Sequence, residues 1–150
     1  MQKTSLAAML TVFFSVASMA ADGVIDVQSA YSVAETANRL ERILDEKGMT
    51  IFTRVDHSEG AASVGIELRP TELIIFGNPK VGSLLMQCRQ SVAIDLPQKA
   101  LIWEDAESRV WISYNDPGYL QKRHNIPGCG EALTRISKAL AGITQAAATK

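Results

Sequence analysis

Apolar residues at Val33, Ala37, Leu40 and Leu44 recur at spacings of four, three and four, which lines one face of a helix. Ser32 and Glu35 frame its start as a capping box, a hydroxyl and a carboxylate placed to satisfy the first orphan amides. Gly48 marks its end as a C-terminal cap. On the polar side, Glu35 with Arg39 and Arg42 with Glu46 are spaced as surface ion pairs. A short strand over residues 24–28 precedes this helix, and an alternating strand over 49–55 follows it. The run Asp56-His57-Ser58-Glu59-Gly60 then predicts a turn.

Further strands are predicted over 71–76, 100–103 and 109–114, the last two joined as a hairpin by the polar run 104–108. Between the first two, Gly77-Asn78-Pro79 breaks the chain, residues 80–90 read as a helix, and Leu96-Pro97 turns it again. Asn115-Asp116-Pro117-Gly118 stops the hairpin and starts a short helical turn through His124. A final helix follows Gly128-Cys129-Gly130, with Leu133, Ile136, Leu140 and Ile143 as its buried stripe and a fraying end over 146–150. A strand, a helix, mostly strands and a closing helix predict an α+β fold, an antiparallel sheet with helices on one face. No internal repeat or linker divides it, so residues 21–150 are expected to form a single α+β domain.

Residues 1–20 change the picture. Lys3, the apolar run 6–16 and the small residues around Ser18-Met19-Ala20 have the grammar of a cleaved signal peptide, which predicts a periplasmic or secreted domain with no membrane segment after cleavage. The chain has 15 basic and 16 acidic residues, and losing Lys3 leaves 14 against 16, which argues against a nucleic-acid partner. In an oxidising compartment Cys88 and Cys129 read as a structural disulfide, worth on the order of 3 kcal/mol through the loop it closes. Two buried free thiols are the alternative, and a redox pair lacks the C-x-x-C spacing.

Several segments in order carry a family likeness: Leu73-Ile74-Ile75-Phe76-Gly77-Asn78-Pro79, Ile94-Asp95-Leu96-Pro97, Trp103-Glu104-Asp105, and Val110-Trp111-Ile112-Ser113-Tyr114-Asn115-Asp116-Pro117. From about Tyr31 to His124 and on into the closing helix, the chain resembles the family called domain of unknown function 302. The resemblance implies a TATA-binding-protein-like α+β fold with a curved antiparallel sheet, and a homodimer. It implies no known chemistry.

The polar candidates divide between structural and functional roles. Asn78 and Asp116, each before a proline at a helix start, read as caps, although amides at such a start also present themselves to anions. Period two puts Trp111 with Arg109 and Ser113 on the more polar face of its strand, opposite Val110, Ile112 and Tyr114. Trp111 and Tyr114 are therefore candidates for packing or for ligand contact. His57 and His124 are the only histidines, and with carboxylates such as Asp95 or Asp116 they lack the tight spacing of a metal site. No cofactor fingerprint occurs. Two classes remain: a noncatalytic module binding a small ligand or an envelope protein through His57, Asn78, Asp95, Trp111, Tyr114, Asn115 and Asp116, or a small acid/base enzyme using His57 with Asp95 or Asn115. The binding module is the preferred reading.

Overall fold

A computed structural model describes residues 21–150; the signal-peptide reading of residues 1–20 lies outside them. Five strands, β1 (Val24–Ser29), β2 (Thr50–Asp56), β3 (Thr71–Gly77), β4 (Gln98–Glu104) and β5 (Val110–Asn115), form one antiparallel sheet in the order β1-β5-β4-β3-β2. Helix α1 (Val33–Glu46) connects β1 to β2, the two edges of the sheet. α2 (His57–Ala62) and α3 (Pro79–Cys88) flank β3, and α4 (Pro117–His124) and α5 (Gly130–Ala148) close the chain. The fold is α+β, with an open sheet, as the strand and helix pattern predicts.

The core lies between one face of the sheet and the two long helices. Ile74 and Phe76 of β3, Ala100 and Ile102 of β4, and Ile112 and Tyr114 of β5 point to that side. They meet the predicted stripes of both helices, Ala37, Leu40 and Leu44 from α1 and Leu133, Ile136, Leu140 and Ile143 from α5. Burying each such aliphatic side chain contributes about 1.5–3 kcal/mol, so these stripes supply most of the drive to fold. The Ser32 half of the capping box forms, with the Glu35 amide donating to Oγ at 3.3 Å. Gly48 takes the left-handed conformation at φ +65°, which glycine enters without a Cβ penalty.

Four expectations need correction. Residues 56–60 form more than a turn: Asp56 accepts from the Glu59 amide at 2.9 Å and thereby starts α2. The helix predicted over 80–90 ends at Cys88, because Arg89 is extended (φ −155°, ψ 103°), and a 3-10 segment spans Gln90–Asp95. A cis Leu96-Pro97 bond then leads into β4, which begins at Gln98 rather than at Ala100. The C-terminal end does not fray before Ala148, since Ala147 and Ala148 are buried.

Arg39 holds the end of α5 in place. Arg39 does not serve as a surface partner of Glu35; its Nε donates to the Ala147 carbonyl at 2.9 Å and its Nη2 to the Ala146 and Thr149 carbonyls at 3.2 and 2.7 Å. These are the orphan acceptors of a helix C-terminus, where a cation also meets the negative end of the dipole. The Tyr31 ring lies 4.1 Å beneath the same guanidinium. Arg39 therefore fastens the end of α5 to α1.

Cys88 and Cys129 are joined in a disulfide with Cα atoms 6.4 Å apart, tying the end of α3 to the residue before α5. Their sequence separation of 41 residues makes the loop long, so the Cys88→Ser, Cys129→Ser double variant is expected to lose about 3–4 kcal/mol of stability. Urea denaturation checks this value, and an unchanged midpoint would show that the bridge adds nothing.

Candidate functional site

The pairing of α3 with α5 leaves a cavity of about 340 Å3 between them and the sheet. Asn78 lines it at the start of α3: Oδ1 accepts from the Lys80 amide at 3.0 Å, and Pro79 occupies the first helical turn where no amide is needed. Val81, Leu85 and Met86 of α3 form one wall, and Ile136, Ala139 and Leu140 of α5 form the other. Met49 and Phe52, with Leu96 and Pro97 from the turn into β4, complete the apolar lining. Phe52 is exposed because it sits at the irregularity where the β2–β3 register shifts between Ile51 and Thr53.

Four polar side chains interrupt this lining: Asn78, Ser83, Gln98 and Arg135. Gln98 is the most informative. On the inward face of β4 with Ala100 and Ile102, it is only 8% exposed. Its backbone is paired opposite Phe76, but its side-chain amide has no hydrogen-bond partner among the described residues. That amide is not sealed off, and the space it borders is the cavity. Buried amides are ordinarily hydrogen-bonded, so unused bonding capacity here marks a place for a ligand or solvent.

Of the candidate ligand-binding residues His57, Asn78, Asp95, Trp111, Tyr114, Asn115 and Asp116, only Asn78 lines the cavity. Asp95 closes the 3-10 segment whose Ala93 also lines it, but the Asp95 carboxylate points to α4. Its Oδ2 meets His124 Nε2 at 2.5 Å and its Oδ1 accepts from Arg123 at 3.2 Å, while His124 Nδ1 lies 3.3 Å from Ser91 Oγ. The structure thus brings Asp95 to His124 instead of to His57, which is exposed at the start of α2 beyond β2, at the opposite edge of the sheet from β1. Asn115 ends β5 opposite Val24, and Asp116 caps α4 by accepting from the Gly118 amide at 2.9 Å. Neither meets His57 in a shared cleft.

The two aromatic candidates lie on opposite faces, as period two requires. Tyr114 is buried in the core, where burial pushes its phenol upward. Trp111 is on the face away from α1 and α5, paired with Trp103, yet it is also buried. The hairpin run predicted only as polar explains why. Asp105 accepts from the Glu107 and Arg109 amides at 3.0 and 2.8 Å, from Arg109 Nε at 2.7 Å and from Trp111 Nε1 at 2.8 Å. The Arg109 guanidinium also lies 5.6 Å from the Trp111 ring. Trp111 is therefore a packing residue of the β4–β5 hairpin.

Gln98 and Arg135 are the site residues that sequence reasoning missed. Gln98 carried a faint signal, a polar residue in phase with inward-facing Ala100 and Ile102. Arg135 carried none, since a charged residue beside a buried helical stripe reads as a solvated face.

The model of the family described as Domain of unknown function DUF302 matches residues 25–143. Among curated proteins, "Fluoride-specific ion channel FluC 1" from Brucella suis biovar 1 (strain 1330) is 48% identical over 110 residues, 73% of this chain and 43% of that protein. The protein of the same name from Brucella abortus biovar 1 (strain 9-941) matches equally over 41% of its length, so the chain spans less than half of these relatives. A solved structure, an uncharacterized conserved protein DUF302 from Bacillus stearothermophilus, superposes with a TM-score of 0.76 at 22% identity, covering 85% of this chain and 99% of that one. That likeness concerns the fold. No described helix is long and apolar enough to cross a membrane.

The Asp105 cluster has a pH consequence. Burial pushes its carboxyl upward, but the hydrogen bonds from Trp111, Arg109 and Glu107 outweigh that and hold it at about 2. Because the folded value lies below the ordinary carboxyl value of about 3.9, this group's stabilisation is complete above that value and is lost as pH falls towards 2. Urea midpoints measured from pH 5 to pH 2 should fall more steeply for the native chain than for Asp105→Asn. Parallel curves would remove Asp105 as the titrating group.

Proposed function

This chain belongs to the DUF302 family, and from that premise we propose that it is a noncatalytic binding module that holds a small, mainly apolar ligand between α3 and α5. The observation that carries this reading is the unpartnered, largely buried amide of Gln98 at the apolar cavity. Apolar walls with a few convergent polar groups are the usual form of a small-molecule site, and 340 Å3 falls at the lower end of the range of about 300–1,000 Å3. The walls supply affinity through burial, and the polar groups orient the ligand. We place the module outside the cytoplasm: the signal-like residues 1–20 and the Cys88–Cys129 disulfide support export.

The enzyme reading has less support. His124, Asp95 and Ser91 do form a hydrogen-bonded string, but Asp95 is shared with Arg123, and the contacts fasten α4 to the 3-10 segment. We assign that string to structure. The channel name of the Brucella relatives belongs to proteins of which this chain matches 43% or 41%, and we carry no transport activity over from it.

Ala139 provides a direct test, since it is exposed on α5 and lines the cavity. Ala139→Phe should fill the opening and weaken binding of the neutral fluorescent probe N-phenyl-1-naphthylamine at least about tenfold while leaving the fold intact, because apolar burial in the pocket drives binding. Titration by probe fluorescence, with circular dichroism to confirm folding, reads the effect. Failure of the native chain to bind the probe, or unchanged binding in the variant, would place the ligand elsewhere.

A further inference from the structure

Resting on the cavity as the binding site, we infer that its ligand is an amphipathic monocarboxylate, an apolar chain or ring whose carboxylate is held by Arg135. The sign of the head group follows from the lining. Among the described residues Arg135 is the one charged side chain bordering the cavity, and no carboxylate borders it. Arg135 makes neither an ion pair nor a side-chain hydrogen bond with any of them, whereas Arg54, Arg109 and Arg123 pair with carboxylates and Arg39, Arg69 and Arg89 donate to backbone carbonyls. Its guanidinium therefore keeps its full set of donors, in the planar fork that matches a carboxylate.

Two neighbours favour the same sign. The N-terminus of the ten-residue helix α3 borders the cavity at Asn78 and Pro79, and its first turn contains no acidic residue. The positive end of a helix dipole thus borders the cavity, with no acidic side chain in the first turn to neutralise it. Asn78 uses Oδ1 for the helix cap, so its amide nitrogen retains donors, and Gln98 offers another amide.

The same inventory limits the charge. A single arginine balances one negative charge, and a dianionic phosphate head would leave the second charge without a cationic partner in the lining. The apolar remainder is matched by Met49, Phe52, Met86, Leu96 and Leu140. Methionine suits such a lining because its unbranched thioether adapts to chains of differing shape.

Octanoate and 1-octanol test the inference, since they share a chain and differ in charge. Calorimetric titration of the native chain near neutral pH should show octanoate binding at least about tenfold more tightly, the size expected of a charge-assisted pair. Arg135→Gln should reduce octanoate to the affinity of octanol and leave octanol unchanged, while Arg135→Lys should retain part of the preference. Equal binding of the two ligands to the native chain, or an octanoate preference that survives Arg135→Gln, overturns the carboxylate assignment while leaving the cavity as a binding site. Binding of neither ligand overturns both. If Arg135→Gln fails to fold, the native comparison decides: a preference for octanoate that declines with added salt supports the assignment, and its absence rejects it.

Discussion

The docking of α5 onto α1 and the sheet is the constraint on which the rest of the structure depends. Leu133, Ile136, Leu140 and Ile143 can leave water only by packing against the sheet face that also receives Leu40 and Leu44. Once α5 is fixed there, its first residues set the position of Cys129, and the disulfide carries that position to the end of α3. Arg39 secures the other end of the same helix. The helix is thus held at both ends by contacts with residues far away in the chain.

The cavity is a consequence of this arrangement. α3 is short and ends at the extended Arg89, so it cannot pack along α5 for the whole length of the sheet. The chain then needs the 3-10 segment and the Leu96-Pro97 turn to return to β4, and both border the space that remains. Apolar residues cover most of its walls, while Gln98 and Arg135 keep polar capacity that no other described residue uses. This combination is what the proposed binding reading rests on.

The opposite face of the sheet obeys different physics. The long helices α1 and α5 pack on the other side, yet Trp111 and Ser113 are buried here among the described residues. Side chains from the same sheet cover them: Asp105 binds the Trp111 indole, and Trp103 Nε1 donates to Ser113 Oγ at 2.7 Å. Ser113 in turn donates to Asp26 on the edge strand β1 at 2.5 Å. Hydrogen bonds between strand neighbours thereby do on this face what helix packing does on the other.

Periodicity by itself determined the fold class, the stripes of α1 and α5, and the opposite faces of Trp111 and Tyr114, because those features depend on repeats of 3.6 and two residues within one segment. Local capping chemistry likewise made Ser32, Asn78, Asp116 and Gly48 legible as helix boundaries. The partners of Arg39, Asp95 and Asp105 were not legible. Arg39 looked like a surface ion pair and caps a helix 107–110 residues away, and Asp95 meets His124 rather than His57. Gln98 and Arg135 border one cavity only because β4 and α5 both pack beside α3. Such pairings are set by where packed elements bring side chains together, and a one-dimensional pattern contains the faces but not the distances between them.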